Sequence, residues 1–235
     1  MNWGCAKFAH MRRVFSTRLL LLAALASLTL GCGGGPQVNP ALLITDPQEI
    51  EDATKRGINI INTGADPYAV YGHTTKAVNL RVGSDIIIRT AAICLPKDEL
   101  AFLVAMGGDT SEAGAKRVAD AAVQQINRQV KFTVVLQIAK SHKPEDVTFE
   151  LLGNDPKPYP PVTVEPPQFI QDLSSALDPD IPPMAIYGYN VAFSTTGSPG
   201  FPAIDTGMTT LTLMIESGGT STKVPFGLMT GNLGR

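Results

Sequence analysis

Lys131-Phe132-Thr133-Val134-Val135-Leu136-Gln137-Ile138-Ala139 carries Phe132, Val134, Leu136 and Ile138 at every second position, between polar or β-branched residues. Successive side chains of a strand point to opposite faces, so this spacing predicts a strand with four large apolar groups turned to a core. Val147-Thr148-Phe149-Glu150-Leu151 repeats the pattern, and Ala185–Phe193, Thr209–Ile215 and Thr222–Leu228 follow. Of 18 prolines, 12 fall between Pro144 and Pro202. Proline cannot donate to a ladder, so these mark edges and connections. Short alternating strands at fairly regular spacing predict a sandwich, immunoglobulin-like only in the loose sense.

Upstream, Ala77-Val78-Asn79-Leu80-Arg81-Val82 alternates, Gly83-Ser84 turns the chain, and Ile86-Ile87-Ile88 begins a β-branched run. Two accessory helices are expected, at about 47–56 and 110–128. For the first, Asp46 caps, Pro47 takes the first helical position, Glu49 completes a capping box and Gly57 suits the exit, with Ile58–Ile61 as a following strand. For the second, Asp109 and Glu112 have capping-box spacing, and Ala115, Val118, Ala119, Ala122 and Ile126 share a face. Leu100–Met106 fits helix or strand. The expected fold is mainly β (α+β), a single antiparallel β-sandwich over residues 41–235. A split near Gln129, with an α/β half before it and a sandwich after, is the alternative.

The first thirty-two residues carry an address. In Met11–Cys32, Arg12, Arg13 and Arg18 give a positive start, Leu19–Leu30 an apolar run, and Gly31 a small residue before Cys32, the three parts of a secretory signal. This run of 12 residues falls short of the roughly 20 that span a bilayer as a helix. Leu28-Thr29-Leu30-Gly31-Cys32 resembles the lipobox of bacterial lipoproteins, with Thr29 where Leu is usual. The resemblance implies thioether diacylation of Cys32, cleavage after Gly31 and acylation of the new amino terminus, a three-chain anchor. By the same analogy Gly33, standing where inner-membrane retention would favour Asp, directs the protein to an outer membrane where the cell has one. Residues 1–31 are then the signal peptide. Residues 32–40 are the lipidated cysteine and a flexible tether.

Cleavage removes Lys7, Arg12, Arg13 and Arg18 but no acid, leaving 15 bases against 21 acids and a net charge of −6. An acidic chain without basic clusters argues against nucleic acid as partner, because phosphate neutralisation needs Lys and Arg on one face. Cys94 is then the one cysteine besides Cys32, so no intramolecular disulfide braces the fold.

Candidate chemistry is sparse, and no catalytic residue, metal site or cofactor is assigned. His73 and His142 sit among turn formers, and neither has a second His at metal spacing. Gly197-Ser198-Pro199-Gly200 is not a nucleophile elbow. Gly107-Gly108-Asp109 precedes a helix, but Asp109 and Glu112 place negative charge where a phosphate would sit. Asp172, Asp178 and Asp180 are the acids a calcium site would draw on, although Pro179, Pro182 and Pro183 break EF-hand spacing. Tyr187, Tyr189 and Phe193 share a strand face, suited to core packing or to a sugar platform. The expected function is a noncatalytic, membrane-anchored envelope lipoprotein whose sandwich serves as an interaction or structural module, its partners the membrane through Cys32 and an envelope protein. The alternative is an anchored hydrolase or polysaccharide-binding protein with a site assembled from loops.

Overall fold

The computed structural model describes residues 39–72, 74–153, 158–173, 183–195, 204 and 208–228. Its spine is the stretch quoted above. That strand, β3 (Gln129–Ala139), pairs antiparallel on one side with β2 (Ile86–Cys94) and on the other with β7 (Met184–Ser194). β1 (Thr75–Val82) flanks β2, while β5 (Thr163–Val164) and β6 (Gln168–Asp172) both pair with the far side of β7. A second sheet runs in the order β4 (Thr148–Leu152), β8 (Thr210–Ser217), β9 (Thr220–Gly227). The fold is α+β, an antiparallel sandwich with helices. A boundary near Gln129 is ruled out, because β3 joins β2 of the first half to β7 of the second in one sheet.

Alternation explains the layering. Phe132, Val134, Leu136 and Ile138 are all at most 1% exposed and meet Phe149, Leu151, Leu213, Ile215 and Phe226 from the facing sheet. The Phe132 ring stands edge-on to Phe193 at 5.7 Å and tilted against Phe226 at 5.2 Å. Each such side chain contributes about 1.5–3 kcal/mol through burial.

The opposite face of the large sheet is partly covered by helices: α1 (Pro47–Thr63), α2 (Pro96–Gly107) and α3 (Glu112–Ile126). Leu100, Val104, Ala115, Ala119 and Ile126 form a second core with Ile44 and Ala53. Val70, Tyr71, Ala92, Cys94 and Ala101 join the helical layer to the sheet.

Several expectations are corrected. Among the described residues there are three α-helices where two were expected, because Leu100–Met106 lies in α2, which opens on Pro96 and stops at Gly108 with φ 67°. The first helix runs on to Thr63 and takes in Ile58–Ile61; its exit is Gly64, at φ 65°. Gly57 lies inside it because the helices nearly touch there. A Cβ at Gly57 would stand 2.6 Å from Val104 Cβ and 2.7 Å from Ala101 O. Asp46 does cap, accepting from Gln48 N at 2.9 Å, but Glu49 turns to Lys97 of α2. α3 is capped by Ser111, whose hydroxyl accepts from Gly114 N at 3.1 Å, while Asp109 holds Ser111 from behind. β1 does not alternate. A bulge between Ala77 and Leu80 puts Asn79 at φ 50°, a conformation Asn tolerates.

Candidate functional site

The large sheet has two edges, and one of them is apolar. β6 pairs Gln168 with Gly188, Phe169 with Tyr187, Gln171 with Ile186 and Asp172 with Ala185, so Ile170 is an extra residue that bulges the strand. All five residues of β6 are exposed, with Phe169 at 61% and Ile170 at 54%. Ile170 lies across Gly188, where a Cβ would come within 3.3 Å of Ile170 Cδ1. Phe169 stands edge-on to Tyr187 at 5.8 Å. Val162 and Val164, at 53% and 44%, extend the apolar line along β5.

Beside this edge an open recess of about 350 Å³ is lined by Pro144, Glu145, Val164, Glu165, Pro166 and Tyr189. Tyr189 is fixed by donating its hydroxyl to Pro144 O at 2.8 Å, and burial raises its pKa above the ordinary phenol value. Glu165 accepts from Asn190 Nδ2 at 2.9 Å. The edge thus offers apolar side chains, an outer strand and two carboxylates nearby. Such a surface can accept an extended apolar segment by strand addition.

The predicted candidates scatter. Asp172 ends β6 and pairs with Lys140 at 2.7 Å, both half-exposed, so the pair contributes at most about 1 kcal/mol. Asp178 and Asp180 lie outside the described residues, as do Cys32, His73 and Ser198. Among the described residues no group of three or more His, Cys, Asp or Glu is placed to hold a metal. The Gly107-Gly108-Asp109 turn is occupied from within, since Asp109 Oδ1 accepts from Ser111 N and from its hydroxyl. Those bonds lower the Asp109 pKa. Tyr189 and Phe193 belong to the core, and only Tyr187, under Phe169, reaches the edge.

Two arrangements escape sequence reading because their members are far apart. His142 Nε2 and Ser217 Oγ lie 2.6 Å apart, joining the turn after β3 to the end of β8. Among the described residues no carboxylate is hydrogen-bonded to that ring. The second arrangement fastens the helices. Glu99, 5% exposed, accepts from the Tyr71 hydroxyl at 2.7 Å and pairs with Lys131 of β3, while Arg56 reaches Asp98 at 2.7 Å. Cys94 lies close by, its Sγ 3.7 Å from Thr133 Oγ1. Burial, and then the Glu99 carboxylate, push its pKa up to about 12. It is a protonated thiol and a poor nucleophile.

No family model matches the chain, and no curated protein matches it. A solved structure described as a novel protein of unknown function from Burkholderia pseudomallei aligns over 79% of this chain and 91% of its own at 12% identity. Its TM-score of 0.31 carries no argument about fold or function.

Proposed function

We propose that the protein is a noncatalytic, lipid-anchored envelope lipoprotein whose sandwich docks an extended apolar segment of a protein partner along β6. The observation that carries the docking part is the exposure of Phe169 and Ile170 on an edge strand. Outer strands are commonly blunted by charge, proline or a covering segment when nothing pairs with them. The anchor is supported by the leader and lipobox of Met11–Cys32. No helix among the described residues is long and apolar enough to cross a membrane, which is compatible with attachment by lipid.

Two measurements test the two parts. Mass spectrometry of the mature protein is expected to find an acylated Cys32 at its amino terminus. An unmodified terminus at any other residue ends the lipoprotein reading. Crosslinking in native membranes followed by pull-down is expected to recover one stoichiometric protein, lost in Phe169→Asp/Ile170→Asp. Recovery undiminished in that variant would remove β6 from the interaction, and turnover of a substrate by the pure protein would overturn the noncatalytic reading.

A further inference from the structure

We infer that the segment docking along β6 carries a large apolar residue and, two positions away on the same face, a lysine or arginine that enters the recess between Glu145 and Glu165; this rests on the docking reading proposed above. Backbone geometry limits where such a segment can pair. Glu165 N donates to Asn190 O and Leu173 N donates to Met184 O, so the even-numbered residues of β7 bond to the outer strand. Gln168, opposite Gly188, therefore turns its N–H and C=O inward, and Phe169, opposite Tyr187, turns its own outward. Towards β5 the outward ladder ends, because Pro166 and Pro167 have no N–H to give. Past Phe169 in that direction a docked segment depends chiefly on its side chains.

The recess lies there. Phe169 stands against Tyr187, and Tyr189, two residues further along β7 on the same face, closes the bottom of the recess. The side chains of an added strand repeat at every second residue on one face, so one beside Phe169 places the next over the recess. Pro144, Val164 and Pro166 give it apolar walls that suit a methylene stem. The donors around it are already spent, the Tyr189 hydroxyl on Pro144 O and Asn190 Nδ2 on Glu165. Burial first, and then the Glu145 charge, raise the Tyr189 pKa, which sets that carboxylate near the hydroxyl. Both glutamates are exposed, and the ion pairs among the described residues are made by other acids: Glu49, Glu51, Asp98, Glu99 and Asp172. Lys140 is taken by Asp172 at the far end of β6, and the exposed Lys143 is not among the lining residues. An apolar slot with two carboxylates at its mouth complements an alkyl chain that ends in a cation, and repels an acid.

The purified full chain would be panned against a library of random linear peptides, and the affinities of the selected peptides measured by titration. The expected peptides share an aromatic or branched aliphatic residue with Lys or Arg two positions away. Glu145→Gln/Glu165→Gln should weaken them about tenfold, the worth of two exposed ion pairs. Phe169→Asp/Ile170→Asp should abolish their binding. Gln at position 165 still accepts from Asn190, so the first variant keeps the turn before β6. Peptides without a basic residue at that spacing, or indifferent to the Gln variant yet lost in the Asp variant, would overturn the inference and leave the docking reading standing. Peptides that bind the Asp variant undiminished, or no selected peptide at all, would overturn both.

Discussion

β1 and β6 are the two edges of one sheet, and the chain treats them differently. β1 carries Lys76 and Arg81, bulges at Asn79, and leans on the second sheet. Lys76 donates to Pro225 O and lies over the Phe226 ring, while Thr222 Oγ1 donates to Arg81 O at 2.5 Å. Most of β1 is exposed, but charge, a bulge and these two bonds to the second sheet blunt it as a pairing edge. β6 is also bulged, but Phe169, against Tyr187, and Ile170, across Gly188, both stay exposed, with Asp172 paired to Lys140. The sheet braces one margin against its neighbour and leaves Phe169 and Ile170 exposed on the other, the margin along which the proposed partner would dock.

The largest expected effect separates structural from exposed aromatics on this sheet. Phe132→Ala should cost about 3–5 kcal/mol in urea unfolding, as for a deleted core ring. Phe169→Ala should cost no more than about 0.5 kcal/mol, as for a surface change. A loss above about 1 kcal/mol at Phe169 would make β6 part of the core and break the contrast between the edges.

Next comes the alkaline response of the covered face behind β2 and β3. Burial raises Cys94 from an ordinary thiol value near 9 to about 12, and burial also raises Tyr71. Groups with raised folded-state values bind protons more tightly when folded, so stability is full below the unfolded values and falls as pH rises from about 9 towards 12. The urea midpoint should fall across that window, and less steeply in Cys94→Ala/Tyr71→Phe. A flat profile in the parent protein would contradict a dry interface between helices and sheet.

Smaller still, Gly57→Ala should destabilise by about 1–3 kcal/mol through overpacking against Val104, despite the better helix propensity of Ala. Stabilisation instead would show that α1 and α2 have room to part. Thr222→Ala should cost about 0.5–1.5 kcal/mol by removing the bond to Arg81 O, which sharpens the reading of β1 as a braced margin.

Legibility in the sequence followed the physics of burial. β3, β4, β8 and β9 were readable because one face meets a core, which enforces a two-residue period. α1 was cut short because the role of Gly57 depends on Val104, 47 positions away. β6 was not foreseen at all. Phe169 and Ile170 are adjacent, and a bulged edge with no buried face imposes no alternation. The same distance problem hid the Glu99–Lys131 and His142–Ser217 contacts, since nothing local marks either pair.

The most direct test is a photo-crosslinking amino acid placed at Phe169 on the open edge and, separately, at Leu80 on the braced one, in the full chain expressed in its own cells. Leu80 is itself 41% exposed, so accessibility alone does not favour one position so heavily. A single protein adduct from position 169 and none from position 80 is the expected result. The same adducts from both positions, or none from 169, would contradict β6 as the docking edge.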